Sequence, residues 1–320
     1  MERFTMSNLN NFGTTICDLN LRQGCGTTFP IITSLKPNAH LAIVEQAGEW
    51  LKVKVQGQEG FVNRKFVRLL EHQLQEGFLI HRPDVLRWSM AADKPLRRPS
   101  SSDQNLEIIV AAWNRFGGLV ERLADTISID PSVAMAVVAA ESAGNGFQNG
   151  RMIIRFENHY FWNLWGKHNQ KGFAEHFSYS KTKPWTGQRF RSSVETTWQS
   201  FHGSQAAEWM VFNLAFTLDE NAALSSLSMG LPQIMGANHG LIGYESAGDM
   251  FAAFSQSERT QLIGLFDFIK GPHSLSPAVS ALQHMDFTAF AACYNGSGQA
   301  AAYGSNLEKF YDLSVLLLNS

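Results

Sequence analysis

The run Asp130-Pro131-Ser132-Val133-Ala134-Met135-Ala136-Val137-Val138-Ala139-Ala140-Glu141-Ser142-Ala143-Gly144 decides how the larger part of the chain is read. Ala134, Val137, Val138 and Glu141 fall at i, i+3, i+4 and i+7, which is one face of an α-helix. Asp130 or Ser132 can cap that helix, Pro131 suits its first turn, and Gly144 offers a stop. A carboxyl is thereby set on the apolar face, at the helix C-terminus. Both settings disfavour its charged form: partial burial raises a carboxyl pKa, and the negative end of the helix dipole adds to the rise. A glutamic acid that keeps its proton at working pH is what a general acid requires, and glycosidic cleavage uses one on the leaving oxygen. The competing reading is a helix-end glutamate turned to solvent, and helix position alone does not choose between them.

Helical spacing continues on both sides of this run. Upstream, Ile108, Ile109, Ala112, Phe116, Leu119, Val120 and Leu123 share a face, with a break or kink expected at Gly117-Gly118. Downstream, helices are expected over Val194–His202, Gln205–Phe216, Ala247–Ala253, Ser257–Lys270, Pro277–Leu282, Phe287–Cys293 and Leu307–Leu318. Met152 to Phe156 reads as a short strand. Residues 105–320 therefore form a mostly α-helical domain.

The period is different near the N-terminus. Trp50-Leu51-Lys52-Val53-Lys54-Val55 alternates strictly, with Leu51, Val53 and Val55 on one face. Leu19-Asn20-Leu21-Arg22, Leu41-Ala42-Ile43-Val44, Gly60-Phe61-Val62 and Phe66-Val67 supply further short strands, and Gln56-Gly57 a turn. Several strands in so short a stretch imply a small antiparallel β-barrel over residues 14–70. Residues 1–13 read as an N-terminal tail. Residues 71–104 read as a transition, because Lys94-Pro95-Leu96-Arg97-Arg98-Pro99-Ser100-Ser101-Ser102-Asp103 has the composition of an exposed linker.

The bulk properties fit two folded domains. The chain has 320 residues, 44% of them hydrophobic and 17% charged, and a formal net charge of −2. That balance offers no electrostatic case for nucleic acid. No stretch approaches the length of a membrane span, and Met1–Asn11 has no apolar run after Arg3, so neither membrane insertion nor a Sec-type signal peptide is expected. Synthesis in the cytoplasm is the expectation, with delivery elsewhere by another route. Cys17, Cys25 and Cys293 do not make a disulfide framework. Cys17 and Cys25 could pair, but free, buried thiols are expected. His159, His168 and His176 lie nine and eight residues apart, without a ligand pattern, so no metal or other cofactor is expected.

Four blocks in order resemble the phage-type N-acetylmuramidases, a lysozyme-like family found in endolysins and some bacterial effectors. They are Ala139-Ala140-Glu141-Ser142-Ala143-Gly144-Asn145-Gly146-Phe147 with Ile154-Arg155-Phe156-Glu157-Asn158-His159-Tyr160-Phe161; Ser228-Met229-Gly230-Leu231-Pro232-Gln233-Ile234-Met235-Gly236; Ser257-Glu258 with Gln261-Leu262; and Cys293-Tyr294-Asn295-Gly296. The resemblance implies that Glu141 is the catalytic acid and that peptidoglycan is the substrate. It is also similar, more loosely, to lytic transglycosylases. Gln233 and Asn295 could bind sugar hydroxyls and acetamides, Tyr294 could stack on a pyranose, and Ser228 could reach the acid or the 2-acetamido group. The bland alternatives are a bracing amide for Gln233, a core aromatic for Tyr294 and a helix-ending turn at Asn295. Met229 and Pro232 depart from the family's usual aromatic and Phe, which puts glycan preference in doubt.

Glu157 is the candidate second carboxylate, as base or water positioner. The alternative is an ion pair with Arg155 or His159 that holds its loop. Two carboxyls about 6.5–9.5 Å apart would mean inversion, and about 5–5.5 Å retention. Tyr160, Phe161, Trp162, Trp165 and Phe173 could line a sugar groove, although loop packing explains such density more commonly. Leu19-Asn20-Leu21-Arg22-Gln23-Gly24, Trp50-Leu51-Lys52-Val53 and Gly60-Phe61-Val62 resemble the bacterial SH3 family, which implies an SH3-like wall-targeting module with cell-wall peptide as its candidate ligand. The expected activity is hydrolysis of the β-1,4 bond between N-acetylmuramic acid and N-acetylglucosamine. Its rivals are an anhydro-forming transglycosylase and a wall-binding protein without activity. Action in the periplasm or wall would follow release or secretion, with secretion machinery or an immunity protein as candidate partners.

Overall fold

The computed structural model describes residues 12–37, 39–55, 57–69, 77–97, 103–271 and 276–319, apart from the side chains of Phe12, His40, Ser142, Asn295 and Ser297. The N-terminal tail up to Asn11 and parts of the 71–104 transition lie outside them. Seven strands come first: β1 (Phe12–Thr15), β2 (Leu19–Arg22), β3 (Ile31–Leu35), β4 (His40–Ala47), β5 (Trp50–Val55), β6 (Gln58–Asn63) and β7 (Val67–Leu69). They form one antiparallel sheet in the order β3-β2-β6-β5-β4-β1-β7. Leu51, Val53 and Val55 point inward as their alternation predicts, onto Leu21, Leu35, Leu41 and Val62.

Then follow α1 (Gln104–Thr126), α2 (Pro131–Ala140), β8 (Phe147–Gln148), β9 (Arg151–Met152), β10 (Ile154–Phe156), α3 (Asn158–Phe161), α4 (Gln170–His176), β11 (Phe177–Ser178), β12 (Arg189–Phe190), β13 (Gln199–Ser200), α5 (Gln205–Leu218), α6 (Glu220–Ser225), β14 (Leu227–Met229), β15 (Ile234–Met235), α7 (Ala247–Gln256), α8 (Glu258–Lys270), α9 (Pro277–Gln283), α10 (Phe287–Asn295) and α11 (Ala300–Leu318). The chain divides into two compact units, one of residues 1–76, 91–137 and 273–320, the other of residues 77–90 and 138–272. The division falls inside α2. No single described helix is long and apolar enough to cross a membrane.

Three expected details are corrected. α1 runs unbroken through Gly117-Gly118. Gly117 serves close packing: a Cβ there would lie 2.7 Å from the Ala92 Cβ and 2.9 Å from the Trp113 ring. Residues 94–96 of the expected linker are thus tethered along α1, with the Trp113 indole donating to the Lys94 carbonyl (3.1 Å) and Asn114 exchanging hydrogen bonds with the Leu96 backbone (2.7 and 2.9 Å). The expected helix over 194–202 is absent. Thr196 bonds back to the Ser193 carbonyl and amide (2.9 and 3.2 Å), local bonds that compete with a helical turn, and Gln199-Ser200 pair with β12 instead. The thiols are free as expected, but Cys25 and Cys293 are exposed and Cys17 is intermediate.

In the second unit residues 77–90 are strapped to α8 and its surroundings. The buried Asp267 carboxylate accepts the Leu79 amide (2.7 Å) and the Ile80 amide (3.1 Å), one on each oxygen. Lys270 donates to the Gly77 carbonyl, His81 bonds the Gly243 carbonyl (2.6 Å) and Arg259 donates to the Trp88 carbonyl (2.6 Å). Burial pushes the Asp267 carboxyl up to about 6, against the pull of the two amides, Lys270 and His81. A folded-state value above the ordinary one means that Asp267 stabilises most below about pH 4 and loses that contribution as pH rises through about 6. The stability advantage of wild type over Asp267→Asn is therefore expected to shrink by about 2–3 kcal/mol between pH 4 and pH 7 in denaturant unfolding. A difference independent of pH would contradict this.

Candidate active site

α2 is buried on all sides from Val133 to Ala139, so it is a core helix rather than an amphipathic one. Asp130 caps it through the Ser132 amide (2.7 Å). It delivers Glu141, 9% exposed, into a tight turn in which the Gly144 amide donates to the Glu141 carbonyl (2.7 Å). Ala143 in that turn has φ +50°, and Gly144 φ +70°. A left-handed alanine is uncommon and persists where the surroundings over-determine it.

Those surroundings are specific. The Gly146 amide donates to Glu258 Oε1 (3.0 Å), the Ile153 amide to the Gly146 carbonyl (2.9 Å), and the Gly230 amide to the Ile153 carbonyl (2.8 Å). The Glu141 turn, the start of β10 and the β14–β15 turn are thereby stitched together. Gln261, fully buried, lies beneath them: its Oε1 accepts the Leu231 amide (2.8 Å) and its Nε2 donates to the Phe254 carbonyl (2.8 Å). A Cβ on Gly146 would come within 1.9 Å of Gln261 Oε1, and one on Gly230 within 2.6 Å of its Cδ, so both places need glycine.

Beside this turn lies the three-stranded antiparallel sheet β10-β14-β15. Ile154, Phe156, Leu227, Met229 and Ile234 face the core. The opposite face carries Arg155, Ser228 and Met235 in one cross-strand row, because Arg155 pairs with Ser228 and Ser228 with Met235. The outer edge of β10 is closed by α5: Gln205 exchanges hydrogen bonds with the Ile154 backbone (both 2.9 Å), and Glu208 accepts the Phe156 amide (2.9 Å) and contacts His202 Nδ1 (2.8 Å). Backbone groups that would template another strand are thus paired.

Glu157 follows β10 and is itself buried, 9% exposed. Its Oε1 accepts Arg155 Nε (2.8 Å), and its Oε2 meets the Gln188 amide and His159 Nδ1 (3.3 Å). Burial holds the His159 imidazole below its ordinary range, against the attraction of Glu157, and Arg155 and His202 add to the lowering. The β11–β12 hairpin supplies Gln188 and is itself fixed by Asn158, which donates through its side chain to the Ser178 and Arg189 carbonyls (both 2.8 Å).

The sequence model of the N-acetylmuramidase family matches residues 130–314, and that of the bacterial SH3 domain matches residues 18–68. The chain belongs to the N-acetylmuramidase family. This muramidase is accordingly a glycoside hydrolase with peptidoglycan as its substrate, and it carries an N-terminal bacterial SH3 domain. A solved structure, that of a Burkholderia AP3 phage endolysin, is similar at 24% identity over 62% of this chain and 69% of that one, with a TM-score of 0.48. No curated protein matches the sequence.

The remaining expected site residues of the muramidase fall as follows. Ser228 is buried, and its hydroxyl donates to the Met235 thioether (3.0 Å), a weak acceptor. Gln233 has φ +49° and donates its amide to the Gly230 carbonyl (2.7 Å), so it braces a turn. Glu141, Glu157, Ser228 and Gln233 belong to one compact unit. Tyr294 belongs to the other, on α10, where it is half-buried and stacks with Phe290 (5.3 Å) and Tyr303 (6.5 Å). Asn295 ends α10, and its side chain lies outside the described residues. Phe161, Phe173 and Phe177 are buried in an aromatic cluster, and Phe161 stacks on Trp165 (5.0 Å). Packing accounts for that density, with Tyr160 left exposed. Sequence reasoning assigned no role to Glu258, Gln261, Gln188 or Glu208. Glu258 and Gln261 stand at i and i+3 within a matched block, a spacing that could have marked a shared helix face turned towards one target.

Proposed function

We propose that this muramidase cleaves the β-1,4 bond between N-acetylmuramic acid and N-acetylglucosamine with Glu141 as general acid. The observation that carries this reading is a buried glutamic acid at the end of a core helix, in a left-handed turn pinned through Gly146 to β10 and α8. A leaving glycosidic oxygen requires a protonated carboxyl held within reach. Protonation there lets the muramyl C1–O bond break through an oxocarbenium-like state, which water captures. Glu157 is the candidate to orient that water. Its ties to Arg155, Gln188 and His159 give it the fixed geometry such a role needs. Ser228, Gln233, Tyr294 and Asn295 are the candidate sugar contacts. Residues 14–70 would bring the catalytic region, residues 105–320, to the wall, with cell-wall peptide as ligand. Synthesis in the cytoplasm and later release to the wall, by secretion machinery or lysis, complete the proposal.

The masses of the released muropeptides test it. Hydrolysis leaves a reducing muramic acid that has gained one water. A lytic transglycosylase would leave a 1,6-anhydro end lighter by that water. Hydrated ends are expected, and anhydro ends throughout would replace hydrolysis by transglycosylation.

A further inference from the structure

Arg155 projects from the face of β10 that is turned away from the core, since its neighbours Ile154 and Phe156 both turn into it. Its Nε edge is fixed on Glu157, and the guanidinium makes no other hydrogen bond to a described residue. The Arg155 side chain is 45% exposed, whereas that of Glu157 is 11% exposed. Glu157 is gripped from its other side by Gln188 and His159, so the arginine is mounted on a rigid base. The arrangement contributes little stability: exposed ion pairs are worth about 0–1 kcal/mol, and burying the carboxylate offsets part of that. It does leave the two terminal amino groups without a described hydrogen-bond partner on a half-exposed side chain, and such a fork matches a carboxylate. Ser228 stands directly opposite on β14, so the fork opens beside a candidate sugar contact.

We infer that Arg155 binds a carboxylate on the muramyl side of the glycan strand, either the lactyl carboxylate or one on the attached stem peptide. Arg155 thereby distinguishes acidic peptidoglycan from uncharged N-acetylated glycans. The inference rests on the proposed active site, because it takes this face of the sheet to border the bound glycan. Glu157 acts here as a positioning residue, holding the Nε edge so that the outer edge stays available.

Soluble glycan strands in four forms test this: intact strands and amidase-stripped strands, each before and after conversion of carboxylates to amides with carbodiimide and ammonia. For wild type, amidation is expected to lower kcat/KM about tenfold in the strand type whose carboxylate is read, the size of one exposed charge-assisted pair. A fall on stripped strands identifies the lactyl group, and a fall on intact strands alone identifies the stem. Arg155→Gln is expected to lose this sensitivity and Arg155→Lys to keep part of it. Wild type indifferent to amidation overturns the inference without any variant having to fold. Arg155→Gln that stays as sensitive as wild type, merely slower on all four substrates, overturns it too and leaves Arg155 as a brace for Glu157. Failure of the Glu141 assignment would instead appear as retained lysis in Glu141→Gln, which these comparisons do not use.

Discussion

Glu141→Gln is expected to remain folded and wall-bound while its lysis of wall suspensions falls by about 10²–10⁴-fold, the usual contribution of a positioned general acid. The substitution is nearly isosteric, and an amide can still hydrogen-bond within the turn. What it cannot do is give up a proton to the glycosidic oxygen. The turn itself is held by backbone and by groups remote in sequence, namely the Gly144 amide on the Glu141 carbonyl, Glu258 on the Gly146 amide and Ile153 on the Gly146 carbonyl, so thermal stability should stay within about 1 kcal/mol of wild type. Glu141→Asp keeps the carboxyl but withdraws it by one methylene. An acid has to lie within hydrogen-bond reach of the leaving oxygen, so this variant should lose most of the rate as well. Turbidity decline, co-sedimentation with sacculi and a melting curve separate chemistry from binding and folding. Full lysis by a well-folded Glu141→Gln would remove Glu141 from the reaction and leave the buried turn as a structural feature only.

What was legible in the sequence was what short-range periodicity encodes. The alternation of Trp50–Val55 gave strand, face and burial together, and the Ile109-to-Leu123 spacing gave the buried side of α1. β3 was not legible, because Ile31-Ile32-Thr33-Ser34-Leu35 buries only Leu35 fully and its pairing with β2 shifts register near Arg22. The 194–202 stretch misled because apolar and helix-tolerant residues hid Ser193 and Thr196, whose side chains close a turn. The burial of Glu141 at the end of α2 was legible because a helix end is a local property. The pairing of Glu157 with Arg155 and His159 was legible for the same reason, the three being two residues apart. Gln188 is 31 residues from Glu157, Glu258 is 112 residues from Gly146, and Glu208 is 52 residues from Phe156. No local pattern announces such partners. They exist because buried backbone amides and carboxylates need satisfaction, and the fold decides which side chain supplies it.

Gln261 is where that principle has its largest consequence. Gln261→Leu keeps the volume but leaves the Leu231 amide and the Phe254 carbonyl, both buried, without their partner. Each orphaned group costs about 1–3 kcal/mol, so the variant should lose about 3 kcal/mol or more. For a domain of this size that is a melting point lower by roughly 6–12 °C. Activity should suffer through kcat more than KM, since the Glu141 turn rests on Gly146, which rests on Gln261. A double-mutant cycle tests that link. Gly146→Ala alone would drive its Cβ to 1.9 Å from Gln261 Oε1 and should be severely destabilising. In a Gln261→Ala background the obstructing amide is gone, so the same alanine should cost much less, and the two changes should be non-additive by more than about 1 kcal/mol. Strict additivity would mean that the glycine and the glutamine do not press on one another, and Gln261 would then lose its claim to position the Glu141 turn.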